Sequence, residues 1–322
     1  MNIYIKVTEK CNLRCLHCYN PYIAQEIDYD ALIKFLKQVQ NAESDNYFIL
    51  HGGEPMMATP ERILDLVQEF SSISWRISTN LCYPLTDTRL KILEYMKEIR
   101  ISFDIGIRFG SLQNLLLWKH NVQYLSNHTD IPLFLNICLT HHLLKHHPKH
   151  ILSMMQHLGF KQFALERITL KGRAQDNKTI IPSYEEINTW LCQLYYSLKE
   201  YPDIKCLDIE TIRSSISNIF DSSYGPQCCC KAITINADGT IGNCPNDAHD
   251  KIIGDISHNF NSIVSKLYCN KHNLHKECLV CDEFKYCHGY CPQMEWQDTI
   301  CPYPKQLLKE ILKNEYSSKL HM

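Results

Sequence analysis

Three cysteines near the N-terminus, Cys11, Cys15 and Cys18, stand in the spacing Cys-x3-Cys-x2-Cys. Thiolates that close in one loop can hold three corners of a cubane iron–sulfur cluster. A fourth cysteine normally caps such a cluster, so three leave one iron open to an outside ligand. A zinc site that draws its fourth ligand from elsewhere is the other chemistry this spacing allows. Position favours the first. The preceding Ile3–Val7 reads as a strand, and the loop leaves its C-terminal end, where α/β folds place their sites.

A second concentration of cysteine lies far downstream. It runs Cys278-x2-Cys281-x5-Cys287-x3-Cys291, then Cys301, with Cys228, Cys229 and Cys230 adjacent upstream and Cys229-x9-Gly239-x4-Cys244 between. Ten of the 17 cysteines fall between Cys228 and Cys301. Cys-x2-Cys pairs also build structural zinc sites. Cys82, Cys138, Cys192, Cys206 and Cys269 have no partner spacing and read as small buried hydrophobes. The N-terminus lacks a long apolar run and a cleavage site, so a secreted disulfide framework is not expected, and the chain is expected in a reducing cytoplasm.

The elements that must position these residues alternate in type. Strand patterns are expected at Ile3–Val7, Tyr47–Leu50, Arg76–Thr79, Arg100–Asp104, Leu133–Leu139 and Gln162–Ile168. Amphipathic helices are expected at Tyr29–Gln40, Pro60–Ser72, Arg89–Ile99, Ser111–Leu125 and Leu143–Leu158. Thr59-Pro60 marks one helix entry. Six β units separated by helices imply a parallel sheet with right-handed crossovers. Beyond Ser183 the pattern changes. Ser183 with Glu186 forms a capping box for a helix to about Lys199. A helix over Leu207–Phe220, a hairpin Ala232–Asn236/Thr240–Asn243 turning at Asp238-Gly239, and a closing helix Lys305–Asn314 follow. The histidines of Thr140–His150 fit a solvated loop and helix start better than a metal site.

The 322 residues suffice for one large or one large and one small domain, and 45% hydrophobic content supports a full core. A net charge of −2 and a pI near 6.7 carry no footprint of a nucleic-acid or membrane binder, and no apolar run reaches membrane-spanning length.

The segment Cys11 to Tyr19 resembles the signature of the radical S-adenosylmethionine (SAM) superfamily, with His17 in place of the aromatic residue before the third cysteine. Further matches follow in order. Gly52-Gly53-Glu54-Pro55 resembles the loop that binds the SAM amino group, with Glu54 facing the ammonium. Ser78-Thr79-Asn80 resembles Thr-Asn-Gly, from which Leu81 departs. Ser102-Phe103-Asp104 resembles a Ser-x-Asp that touches ribose or substrate. Glu166-Arg167 with Gly172-Arg173-Ala174 resembles a segment of the peptide-modifying branch. The resemblance implies an α/β fold, a partial (β/α)6 TIM-like barrel, over residues 1–180. It also implies SAM contacts at Gly52, Gly53, Glu54, Pro55, Ser78, Asn80, Ser102, Asp104 and Arg167. An open iron would chelate SAM, and reductive cleavage would yield a 5′-deoxyadenosyl radical that abstracts hydrogen from substrate.

The C-terminal block resembles a SPASM domain, which carries two auxiliary [4Fe–4S] clusters. That implies a helical bridge at 181–225, the cluster domain at 226–304 and a closing helix at 305–322. By this resemblance Cys278, Cys281, Cys287 and Cys301 hold the outer cluster, and Cys229, Cys244 and Cys291 serve the inner one. A further family ligand falls on Ser223, so Cys228 or Cys230 substitutes or one iron is open. The implied activity is peptide maturation by carbon–carbon or thioether crosslinking. Formylglycine formation in a sulfatase and peptide epimerisation are the alternatives, and a zinc-binding interaction module is the non-enzymatic one. No catalytic acid or base is assigned. The partners implied are a peptide or protein, a flavodoxin- or ferredoxin-like electron donor and, since the barrel begins at once, a separate leader-binding protein or a leader bound on the barrel rim.

Overall fold

The computed structural model describes residues 1–20, 25–42, 46–218, 232–246, 249–267, 274–291, 293–297 and 299–317. Cys228, Cys229, Cys230, Cys269 and Ser223 lie outside the described residues. The described strands, in chain order, are β1 Asn2–Thr8, β2 Tyr47–Gly52, β3 Ser74–Thr79, β4 Met96–Phe103, β5 Leu133–Leu139, β6 Gln162–Arg167, β7 Lys205–Cys206, β8 Ala232–Ile235, β9 Thr240–Gly242 and β10 Ile252–Asp255. They make one sheet ordered β10-β9-β8-β1-β2-β3-β4-β5-β6-β7. Every pair from β8 through β7 is parallel, and the β8–β9 and β9–β10 pairs are antiparallel. The six parallel units expected from the alternation are present, in the arrangement of a partial barrel.

Side-chain parity explains the two surfaces of this sheet. Residues two apart in a strand share a face. Ile3, Ile5, Phe48, Leu50, Trp75, Ile77, Ile99, Ile101, Leu135, Ile137 and Phe163 are almost fully buried in the core. Phe48 and Trp75 meet edge to face with centroids 5.2 Å apart. Burying each such side chain contributes about 1.5–3 kcal/mol. The intervening residues of β1 to β6 are Tyr4, His51, Arg76, Ser78, Arg100, Ser102, Asn136, Cys138 and Glu166. They line a cavity instead.

Two expected helices differ. The stretch Arg89–Ile99 divides into a helix Asp87–Glu94 and the start of β4 at Met96, where burial begins to alternate. The stretch Leu143–Leu158 breaks into His141–Leu144 and Pro148–His157. Pro148 has no N–H to continue a helix and holds His147 extended, at φ −63° and ψ 137°. Thr59 makes no side-chain cap, and Glu26 accepts its N–H instead (3.1 Å).

The capping box of Ser183 and Glu186 is formed, and its helix is Tyr184–Ser197. The closing helix Lys305–Glu315 ties this helix to Leu207–Ser217. Tyr195 donates to Glu315 Oε1 (2.9 Å), and Arg213 pairs with the same carboxylate (2.7 Å). The hairpin turns at Asp238-Gly239, where Gly239 has φ 83°. It is not isolated, because β8 pairs with β1 from Asn2↔Ala232 to Ile5↔Ile235. The cysteine-rich segment is thus stitched into the barrel sheet. Among the described residues no helix is long and apolar enough to cross a membrane.

Candidate active site

The loop of Cys11 to Cys18 leaves β1 and is clamped from both sides by backbone. Gly53 N–H donates to Thr8 O (3.1 Å), and Glu54 N–H donates to Lys10 O (2.9 Å). A Cβ on Gly53 would lie 2.3 Å from Glu9 O and 2.4 Å from Lys10 O. Across the loop, Arg173 N–H donates to Cys18 O (3.0 Å), and a Cβ on Gly172 would lie 2.6 Å from that oxygen. These glycines therefore admit the cysteine loop itself. Asn80 ties it to the end of β3, donating to Asn12 Oδ1 (2.8 Å) and Cys11 Sγ (3.6 Å).

Cys11, Cys15 and Cys18 all open on one cavity of 350 Å³. Gly52, Gly53, Ser78, Asn80, Ser102 and Arg167 join them in its walls, so six of the nine expected SAM contacts are brought together with the three thiols. The volume is that of a small-molecule site. Burial, with the charge of Glu54, pushes the Cys11 thiol up to about 12, and burial also raises Cys15. Ligation by iron would offset that cost. Cys11 Sγ already accepts from Leu13 N–H (3.4 Å), and Arg108 Nη1 lies 3.9 Å from Cys15 Sγ. Among the described residues no three Cys, His, Asp or Glu side chains converge on a single-ion position. A cubane distributes its thiolates over separate irons, and the three-thiol donor set of this loop fits that group.

Three of the expected contacts do not line the cavity. Glu54 is fully buried and turned away from the cavity. Its Oε2 accepts from Asn80 N–H (2.6 Å), and its Oε1 accepts from Thr79 Oγ1 (2.9 Å) and Met56 N–H (3.2 Å). Burial pushes the carboxyl up to about 7 against these hydrogen bonds, which hold it down. Its role here is to lock the end of β2 to the end of β3. Pro55 is buried and opens a short 3-10 turn behind the cavity wall. Asp104, also buried outside the lining, pairs with Arg108 Nε (2.8 Å).

Glu54→Ala leaves two buried N–H groups, of Asn80 and Met56, without an acceptor and leaves Thr79 Oγ1 to Tyr83 alone. The expected loss is about 3 kcal/mol or more, a fall in melting midpoint of roughly 6–12 °C. SAM affinity of the folded fraction is expected to be unchanged. A stable variant with weakened SAM binding by titration would restore the ammonium-binding role.

Sequence reasoning missed Arg108. Its Nη2 donates to His17 Nε2 (3.2 Å), the ring being neutral because burial and two arginines hold His17 down to about 3. The available signal was an arginine four residues after Asp104 in a β4 exit loop. Cys138, expected as a buried hydrophobe, is buried but faces the cavity, at the register position of Glu166. Leu81 adopts φ 53°, the left-handed conformation glycine takes freely, and this is where the resemblance has Gly. Asn121 holds it by donating to Leu81 O (3.0 Å).

Of the downstream cysteines, Cys278, Cys281, Cys287 and Cys301 form one group. Burial raises Cys287 to about 11, with the charges of Cys301, Cys281 and Cys278 adding. Lys305 donates to Cys281 Sγ (3.1 Å). Cys291 opens on a second cavity of 410 Å³ with Tyr290 and Tyr303. Cys244 lies near Tyr19, whose phenol is raised first by burial and then by the charges of Cys18 and Cys244. The following Pro245 and Asn246 line the first cavity. Glu166 and Arg167 line both cavities, and Arg167 reaches Pro302 O beside Cys301.

A strand-end loop of three thiols over the lumen of a partial barrel defines a class, and the comparisons name it. Residues 5–121 match the model of the Radical SAM superfamily. A [4Fe–4S] cluster and SAM are the cofactors of that class. An uncharacterized protein MJ0907 of Methanocaldococcus jannaschii is 24% identical over 209 residues, 60% of this chain and 71% of its own. A tungsten-containing aldehyde ferredoxin oxidoreductase cofactor-modifying protein of Pyrococcus furiosus is 29% identical over 124 residues, 37% of this chain and only 34% of its own. Among solved structures, native anSMEcpe with bound AdoMet and Cp18Cys peptide matches with a TM-score of 0.80 at 17% identity, covering 99% of this chain and 98% of that one. SuiB of Streptococcus suis bound to precursor peptide SuiA matches at 0.69 and 14% identity, covering 94% and 76%. The fold, cysteine-rich end included, is that of these SPASM-type proteins.

Proposed function

We propose that this radical SAM enzyme abstracts hydrogen from a ribosomally made peptide and closes a carbon–carbon or thioether crosslink. The observation that carries this reading is the single cavity shared by Cys11, Cys15 and Cys18, the polar barrel lumen, and Pro245 and Asn246 beside Cys244. Two neighbours with this fold hold peptides, one of them a precursor peptide. Cys11, Cys15 and Cys18 would hold the SAM-binding cluster, which with SAM supplies a 5′-deoxyadenosyl radical. Cys278, Cys281, Cys287 and Cys301 would hold an outer auxiliary cluster. Cys244 and Cys291, with Cys229 and Cys228 or Cys230, would hold an inner one that supplies a one-electron sink.

Crosslinking, after one hydrogen atom has left, must still lose a proton and an electron. Epimerisation loses neither overall. Glu166 is the one carboxylate lining the cavity among the described residues. It opens onto the cavity yet is walled in by protein. That enclosure and the charge of Asp208 raise its pKa above the ordinary carboxylate value, the direction that makes a carboxylate a stronger base. Formylglycine formation makes the same demand.

Reconstituted protein with SAM, reductant and the candidate precursor peptide is expected to give 5′-deoxyadenosine and a lighter, crosslinked peptide. An unchanged peptide mass with inverted stereochemistry would move the protein to the epimerases. In Glu166→Gln the nucleoside is expected to persist while crosslinked product falls roughly 100-fold or more. Equal loss of both would deny Glu166 the role of base.

A further inference from the structure

Four arginines and one glutamate line the cavity: Arg76, Arg100, Arg108, Arg167 and Glu166. Three of the arginines are occupied. Arg108 pairs with Asp104, Arg100 Nε with Glu98 (2.6 Å), and Arg167 with the Pro302 carbonyl. Arg76 has neither a hydrogen bond nor an ion pair among the described residues, and its Nε is buried without an acceptor. A buried donor without an acceptor costs about 1–3 kcal/mol, which a bound acceptor recovers.

Arg76 belongs to the end of the lumen remote from the cysteines, and Arg100 lies one inward-facing position nearer to them. Arg76 is cross-strand from Glu98, and Arg100 is cross-strand from Ser78. Each guanidinium is braced on one face by an aromatic ring, Arg76 over Tyr47 (4.1 Å to the centroid) and Arg100 over Phe134 (4.5 Å). Arg76 presents a free N–H edge, the geometry that receives a carboxylate by two parallel hydrogen bonds, while Arg100, its Nε on Glu98, has only its Nη groups to offer. Two more polar atoms of the lumen are buried without partners, His51 Nδ1 and, nearer the cysteines beside Ser102, Asn136 Oδ1. His51 is held down to about 3 by burial and by Lys6, so the ring is neutral and adds no charge to the site. The charges facing this end are Arg76 and Arg100, Glu98 bound to Arg100, and Glu166, which feels Arg100 from β6. Lys6 is spent on Glu9 (3.4 Å).

We propose that Arg76 and Arg100 form a carboxylate subsite for the substrate, receiving an acidic side chain or the C-terminal carboxylate of the peptide. The peptide identity rests on the function proposed above, whereas the carboxylate subsite stands on the arginines. Asn80, at the cysteine end of the same strand, is four residues from Arg76, a rise of about 13 Å. An extended peptide then carries its carboxylate within about four residues of the carbon that reacts.

The test uses reconstituted, SAM-loaded protein and small probes, so it is independent of whether a peptide is found. Phenylglyoxal modification of Arg76 and Arg100 is mapped by mass spectrometry with glutarate, glutaramide or inorganic phosphate present. Glutarate is expected to slow modification at both arginines and glutaramide to leave it unchanged. Arg76→Gln is expected to weaken glutarate binding about ten-fold by calorimetry, as loss of one charge-assisted hydrogen bond requires. Arg100→Gln is expected to do the same, and circular dichroism checks that each variant is folded. Equal effects of glutarate and glutaramide, or none from either, overturn the subsite. Protection by phosphate alone overturns the carboxylate assignment. A failed peptide-mass assay beside glutarate protection counts against the peptide reading and not against the subsite.

Discussion

Cys15→Ala is expected to abolish 5′-deoxyadenosine formation while the barrel stays folded. Three thiols are the minimum with which one loop can hold a cubane and leave an iron open, so losing one releases the cluster. Iron in reconstituted protein should fall by about four atoms, with the downstream clusters retained. The fold should survive because the loop is held by other means. Gly53 and Glu54 bind its backbone before the cysteines, Asn80 and Cys82 O hold Asn12, and Arg173 N–H holds Cys18 O. Cys15 is 6% exposed, so its sulfur also fills space. A purely packing role would cost on the order of 1 kcal/mol and leave iron and nucleoside unchanged. Nucleoside at the unsubstituted level in the presence of strong reductant would remove the three-cysteine assignment.

Cys244→Ala is expected to separate the two halves of the reaction, with 5′-deoxyadenosine still formed and crosslinked product lost. Cys244 follows the β8–β9 hairpin, which is anchored to the barrel by β8 on β1. Asp238 Oδ1 accepts from Thr240 N–H (3.0 Å) and Oγ1 (2.6 Å), so the turn before it is rigid. A thiolate on such a support is preorganised as a ligand. Its neighbours Pro245 and Asn246 form cavity wall, which puts any group held there beside the substrate space. If Cys244 only staples the segment, the variant should lose every cluster together and unfold. Iron content, nucleoside and product mass on one preparation distinguish these outcomes. Full product from Cys244→Ala would show that the inner cluster is dispensable.

Much of the frame was legible in order of residues alone, because its signals are local. Period-two burial marked β1 to β6 within a few residues, Ser183 and Glu186 marked a helix start, and Asp238-Gly239 marked a hairpin. The spacing of Cys11, Cys15 and Cys18 after a strand marked the mouth of the fold, since ligands on one short loop need no distant partner. The departure at Leu81 was also visible, although its meaning, a left-handed residue held by Asn121, was not.

What only the tertiary structure decided depends on contacts between distant segments. Glu54 carries an acid in a glycine-rich loop, and sequence cannot tell whether it faces ligand or protein. The approach of β3 supplies Thr79 Oγ1 and Asn80 N–H, and these turn it inward. The pairing of β8 with β1 spans more than 200 residues and brings the Cys244 segment to the cavity. Arg76, Arg100, Asn136, Cys138 and Glu166 each look ordinary within their own strands. They become one polar lumen only when sheet register and curvature point the same parity inward, which is why the arginine end of the cavity had no signature in the chain.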